Sequence, residues 1–160
     1  MLAFWPRFLQ GMNIQDKICP RILVVDDDTA IRLLTAHALR KAGFEVLEAC
    51  TADEGVRYVR DANIDAVVTD VEMPGALNGY DLARHARSEC PARSVFVVSS
   101  SSNSVHRDLS PYDRFFEKPA DPRDLIAELR ASLRMFQRRC CDSRFRYAVC
   151  SECARPRRAA

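Results

Sequence analysis

No stretch of this chain is long and apolar enough to cross a bilayer. The nearest approach is Met1 to Leu9, where Pro6 and Arg7 interrupt the apolar run. Nothing basic precedes that run, so the layout of a signal peptide is missing as well. Met12 offers an alternative start, and residues 1–19 are expected to form a flexible extension without a role in the fold. There is no internal repeat and no linker leading to a second domain. The seven cysteines are an odd set, and Cys19, Cys50 and Cys90 show no disulfide-like spacing, which argues against a disulfide framework and for a reducing, cytoplasmic setting. His37, His85 and His106 share no metal-ligand spacing. A strongly basic face is missing too. The formal charge is +2, and residues 138–160 hold seven arginines against Asp142 and Glu152, which leaves the remainder mildly acidic. That balance argues against nucleic acid as a partner.

What is present fits one globular domain: 160 residues, 48% hydrophobic and 29% charged, are enough to bury a real core. The strand signals are short and apolar. Ile22-Leu23-Val24-Val25, Ala66-Val67-Val68-Thr69 and Ser94-Val95-Phe96-Val97-Val98-Ser99 read as strands buried on both faces. Phe44 to Ala49 and Arg114 to Glu117 complete a set of five. Helices alternate with them. Ile31, Leu34 and Ala38 share one face of a helix that Gly43 ends. Thr51-Ala52-Asp53-Glu54 has capping-box form, and Val56, Val59 and Ala62 follow at helical spacing. Asn78 starts a helix through Leu82, Ala83 and Ala86. Asp121 caps the last one, with Pro122 at its first position and Leu125, Ile126, Leu129, Leu133 and Phe136 as its core face. Residues 100–114 are polar and contain Pro111, leaving room for only a short fourth helix around 104–109. This alternation predicts an α/β domain over residues 20–137, with helices on both faces of a parallel sheet. Residues 138–160 are expected to be a disordered basic tail. Its Cys140, Cys141, Cys150 and Cys153 suit a zinc site poorly, because adjacent cysteines fit tetrahedral ligation badly.

Four of the five strands end in, or lead into, a polar residue that can share one site: Asp26 and Asp27, Asp70, Ser99 and Lys118. In a right-handed parallel fold these ends lie along one edge, where open sheets collect their ligands. Each residue alone has an ordinary explanation: a cap, a turn or a solvated lysine. Together they describe a phosphoryl-transfer site. Three crowded carboxylates repel one another, and a hard divalent cation, Mg²⁺ above all, relieves that repulsion. Lys118 and the Ser99 hydroxyl supply partners for phosphoryl oxygens, and Asp70 is the nucleophile. A flavin-binding alternative needs a phosphate-cradling loop after the first strand, where this chain has repelling carboxylates. An Asp-nucleophile phosphatase remains a rival, although Glu72 stands where that class has its second aspartate and no cap or evident substrate pocket is visible.

Over about residues 20–136 the sequence resembles the receiver domain of two-component response regulators. The motifs that carry the likeness are ILVVDDD at 22–28, VVTDVEMPG at 67–75, VVSS at 97–100 and FFEKP at 115–119. The resemblance implies a flavodoxin-like, doubly wound five-stranded parallel sheet in the order 2-1-3-4-5. It also implies that Asp70 accepts phosphate from a histidine kinase or phosphotransfer protein in a Mg²⁺-dependent reaction. Asp27 and Asp70 would ligate the metal directly and Asp26 through water, with the Glu72 backbone carbonyl as a further ligand. Lys118 and Ser99 would hold phosphoryl oxygens, and Ser99 with Phe115 would form the switch. A partner would then dock on the surface of the fourth helix, fifth strand and fifth helix. Two features depart from the simplest members: the turn Pro74 to Gly79 is one residue longer, and the fourth helix is shortened. No output domain follows the receiver, so a stand-alone protein that works by docking is expected. A receiver-like module that works without phosphorylation is disfavoured, because every expected site residue is present.

Overall fold

Ile22, Leu23, Val24 and Val25 leave no polar side chain for solvent, so the strand they form must be covered on both faces. In the computed structural model all four are buried, and Arg21–Val25 (β1) is a central strand. The structure describes residues 19–90, 93–99 and 113–141, and side chains as far as residue 133. The remaining described strands are Glu45–Ala49 (β2), Ala66–Asp70 (β3), Ser94–Ser99 (β4) and Arg114–Glu117 (β5). The helices are Thr29–Lys41 (α1), Ala52–Asp61 (α2), Gly79–Glu89 (α3) and Pro122–Cys141 (α4). All neighbouring strands run parallel, in the order β2-β1-β3-β4-β5. This is the flavodoxin-like sheet expected from the sequence. The short fourth helix expected at 104–109, all but the last residue of the extension at 1–19, and most of the basic tail lie outside the described residues. The last helix runs past residue 137, to Cys141.

Strand side chains alternate between the two faces of the sheet. Leu23, Val25, Val67, Val95 and Val97 pack with Val56, Val59, Leu82, Ala83 and Ala86 of α2 and α3. Ile22, Val24, Val68 and Phe96 face the other way, onto Ala36 and Leu39 of α1 and Leu125, Leu129 and Leu133 of α4. Each fully buried aliphatic side chain in these layers contributes about 1.5–3 kcal/mol relative to leaving it in water. Two layers of helix around one sheet are therefore what holds the rim in place.

Local chemistry sets the helix ends. Asp28 caps α1, its carboxylate accepting from the backbone N–H groups of Ala30 and Ile31. Gly43 ends that helix at φ 94°, a conformation that a side chain would strain. Thr51 caps α2 through its hydroxyl, while Glu54 reaches back to the Cys50 N–H. Asn78 and Asp81 form a full capping box on α3. The face of α1 that meets the sheet differs from the one its sequence singles out. Ala36 and Leu39 are fully buried, whereas Ile31 is 39% and Leu34 is 66% exposed. Ile31, Leu34, Thr35 and Ala38 instead wall a cleft of about 460 Å³ between α1 and α4.

Candidate phosphoryl-transfer site

The register carries the site. Val25 pairs with Ala49 and Thr69, Asp70 with Val98, and Ser99 with Glu117, so the carboxyl ends of the strands are level. Alternation then decides which groups meet. Asp26 and Asp70 continue the faces of Val24 and Val68, and Lys118 follows Phe116 two residues on; all three line the end of the cleft. Ser99 follows Val95 and Val97 on the opposite face, and is buried.

Carboxylate oxygens of Asp26, Asp27 and Asp70 lie within 4.8 Å of one another. The third aspartate of the triplet does the capping, which leaves the first two for this cluster. Asp26 is 5% exposed and Asp27 is exposed. Lys118 donates from its Nζ to Asp70 Oδ2 at 2.6 Å and to Asp26 Oδ2 at 3.2 Å. The other oxygen of Asp70, Oδ1, accepts from the Val71 N–H at 2.6 Å, with the Glu72 N–H at 3.4 Å. Asp26 Oδ1 accepts from the Asp28 N–H at 2.9 Å. The Lys118 N–H donates to the Ser99 carbonyl at 2.8 Å, which ties the fourth strand end to the fifth. Phe115, half-buried, packs against the core cluster beneath α2 and α3. Of the residues singled out from sequence, then, Asp26, Asp27, Asp70 and Lys118 converge, and Ser99 joins them through its backbone.

The charges are arranged at some cost. Burial pushes the Asp26 carboxyl above its usual range, against the opposing pull of the Lys118 ammonium. Burial also disfavours the Lys118 ammonium, but its hydrogen bond to Asp70 and the charges of Asp26 and Asp70 outweigh this and raise its pKa. Raised folded-state values have a definite sign. Asp26 adds stability fully below the ordinary carboxylate pKa, and that stability is lost as pH rises through the folded value. At neutral pH the buried Asp26 charge therefore disfavours the metal-free fold. Asp26→Asn is expected to raise the metal-free melting temperature at pH 7 by a few degrees and to shrink the further rise caused by Mg²⁺. Thermal melts with and without Mg²⁺ check both halves, and a lower metal-free melting temperature in the variant contradicts them.

A divalent ion suits the donor set. Among the described residues, three hard carboxylates within 4.8 Å face a single ammonium, so negative charge is in excess. Oxygen-only donors match Mg²⁺ rather than a softer metal.

Two residues that the sequence reading passed over shape this site. A Cβ at Gly79 would lie 1.9 Å from the Asp70 carbonyl oxygen, so the first turn of α3 can close on β3 only with glycine there. Asn-Gly marks a turn in sequence, but nothing local says that a strand end will press on it. Gly79→Ala is expected to cost about 1–3 kcal/mol, the usual range for overpacking, and to shift Asp70. Urea denaturation measures the first, and an unchanged midpoint would show that the contact is slack. Arg32 is the other. Its Nη1 donates to the Asp26 carbonyl at 2.7 Å.

Comparisons with known proteins agree with this geometry. Residues 22–130 match the family model of the response regulator receiver domain. The chain is 34% identical over 113 residues to the CAI-1 autoinducer sensor kinase/phosphatase CqsS of Vibrio cholerae, covering 66% of this chain and 16% of that protein. It is 32% identical over 118 residues to the phosphate regulon transcriptional regulatory protein PhoB of Pseudomonas aeruginosa, covering 71% of this chain and 51% of PhoB. It thus spans about half or less of these relatives. Among solved structures, a response regulator receiver protein from Sinorhizobium medicae superposes with a TM-score of 0.70 at 26% identity, over 73% of this chain and 96% of that one. The receiver domain of the hybrid histidine kinase CckA does so with a TM-score of 0.61 at 31% identity, over 71% and 98%. With five parallel strands in this order and an acidic cluster at their carboxyl edge, the chain belongs to the response regulator receiver domain family.

Proposed function

We propose that this chain is a phosphoacceptor of a two-component pathway, and that Asp70 receives the phosphoryl group from a histidine kinase or phosphotransfer protein. In the transfer a carboxylate oxygen of Asp70 bonds to phosphorus while the phosphorus–nitrogen bond of the donor phosphohistidine breaks, and the imidazole leaves. The observation that supports this most is the meeting of three carboxylates within 4.8 Å and one ammonium 2.6 Å from Asp70, at the edge where the strands end. Asp26, Asp27 and Asp70, with the Glu72 carbonyl, would hold Mg²⁺, which supplies positive charge to the transferring group. The amides of Val71 and Glu72 fix Oδ1 of Asp70 and so its orientation. Lys118, now shared between two carboxylates, is placed to take a phosphoryl oxygen, and the Ser99 hydroxyl is the second such donor. Movement of Ser99 toward the phosphoryl group, followed by Phe115, would reshape the face that carries β5 and α4, where a partner protein docks. This work belongs in the cytoplasm; among the described residues no helix is long and apolar enough to cross a membrane.

The cleft beside the site has mainly apolar walls, and among the described residues Lys118 is the one cationic side chain that lines it. It therefore does not favour the phosphatase alternative. Incubation with Mg²⁺ and acetyl phosphate separates the readings. One acid-stable, base-labile phosphoryl group per chain is expected, without continued hydrolysis of a phosphomonoester. Sustained phosphomonoester turnover means a phosphatase, and no incorporation at all means a phosphorylation-independent module.

A further inference from the structure

Asp27 carries an exposed carboxylate, so its direction is set by the peptide that joins it to Asp26. The carbonyl of that peptide is the one held by Arg32. The guanidinium is locked from three sides. Nη1 donates to the Asp26 carbonyl at 2.7 Å, Nη2 to the Thr29 hydroxyl at 3.3 Å, and Nε lies 3.7 Å from Glu48 Oε2 on β2. Glu48 is itself fixed by Arg40 at 2.8 Å, and Arg40 also donates to the Val46 carbonyl at 3.0 Å. The Arg32 side chain is only 14% exposed. A rigid fork thus connects β2 and the first turn of α1 to the backbone between the two acidic residues.

We propose that Arg32 is a positioning residue of the metal site: it orients the Asp26–Asp27 peptide so that both carboxylates converge with Asp70. The proposal rests on the reading that this cluster binds Mg²⁺. Two physical effects of Arg32 oppose each other, which makes the role measurable. As a nearby positive charge it disfavours a cation, so deleting it for that reason alone would tighten Mg²⁺ binding. As an orienting group it favours the cation, and losing such an outer partner typically weakens metal binding tenfold or more. Lysine keeps the charge but not the planar fork that spans carbonyl, hydroxyl and carboxylate.

The test is a Mg²⁺ titration of the whole chain, followed by the amide resonances of Asp27 and Val71, for wild type, Arg32→Gln, Arg32→Lys and Glu48→Gln. Thermal melts without metal run alongside. We expect Arg32→Gln and Arg32→Lys both to weaken Mg²⁺ binding about tenfold. Glu48→Gln, which loosens the anchor without touching the carbonyl, should weaken it less and in the same direction. Tighter binding in Arg32→Gln overturns the proposal, because Arg32 would then be only a neighbouring charge. Unchanged affinity with a lowered melting temperature overturns it too, because the role would be structural. Should Arg32→Gln fail to fold, Glu48→Gln decides alone, and wild-type affinity there overturns the proposal. A wild-type chain that shows no saturable shift with Mg²⁺ removes the metal reading itself and the proposal with it.

Discussion

Asp70→Ala is expected to take phosphoryl incorporation from acetyl phosphate to the detection limit while leaving the fold intact. Neither neighbouring carboxylate is placed to substitute. Asp26 is buried, with Oδ1 accepting from the Asp28 N–H and Oδ2 from Lys118. Asp27 projects from the loop after β1, without the pair of amides that fixes Asp70. An attacking oxygen needs a fixed orientation beside positive charge, and of these three carboxylates Asp70 alone combines two backbone amides with the Lys118 ammonium at 2.6 Å. Stability should change little. Without Asp70 the Lys118 ammonium keeps Asp26 as a partner, so one positive group faces one buried carboxylate. Mass spectrometry of the intact chain reads incorporation, and thermal melts confirm folding. Undiminished labelling in the variant would remove Asp70 from the role assigned to it.

Lys118→Ala should separate metal binding from the response to phosphorylation. Without metal, removal of the ammonium leaves Asp26 and Asp70 facing each other at 8% and 11% side-chain exposure. Breaking a buried ion pair from one side is strongly destabilising, here on the order of 3 kcal/mol. Mg²⁺ binding should not weaken, because the ammonium competes with the cation for the same two carboxylates. The variant is therefore expected to gain more melting temperature from Mg²⁺ than wild type does. Phosphorylation-dependent changes should nevertheless fail, since the ammonium that would take a phosphoryl oxygen is gone. The pH dependence follows the same logic. The Lys118 pKa is raised in the fold, so its contribution is complete below the ordinary lysine value and is lost as pH climbs through the folded one. Wild type should lose metal-free stability at alkaline pH more steeply than Lys118→Ala. Parallel alkaline melting curves for the two proteins would contradict this.

Much of the site was legible in the sequence because strands impose a period of two. A continuous apolar run such as Ile22 to Val25 announces a strand covered on both faces, and Asp26 is the next position on the face of Val24. The same reasoning carries Val68 to Asp70 and Phe116 to Lys118. Once the strands are parallel, level ends follow, and the acidic cluster with them. Helix faces were less legible. The period of 3.6 says that Ile31, Leu34 and Ala38 share a face, but not that this face is the one turned to the sheet. Ala36 and Leu39 fill that position, leaving Ile31 and Leu34 beside the cleft. Contacts through the backbone were not legible at all. The approach of Gly79 to the Asp70 carbonyl and the hold of Arg32 on the Asp26 carbonyl depend on how turns close in space, which no side-chain pattern encodes.

Which residue carries the phosphoryl group is read most directly by chemical trapping. The wild-type chain is charged with acetyl phosphate and Mg²⁺, reduced with borohydride, and digested for peptide mass spectrometry. An aspartyl phosphate is reduced to homoserine, and that conversion is expected at position 70 alone. Homoserine at Asp26 or Asp27 with Asp70 intact, or a phosphoryl group retained on serine or histidine, would contradict it.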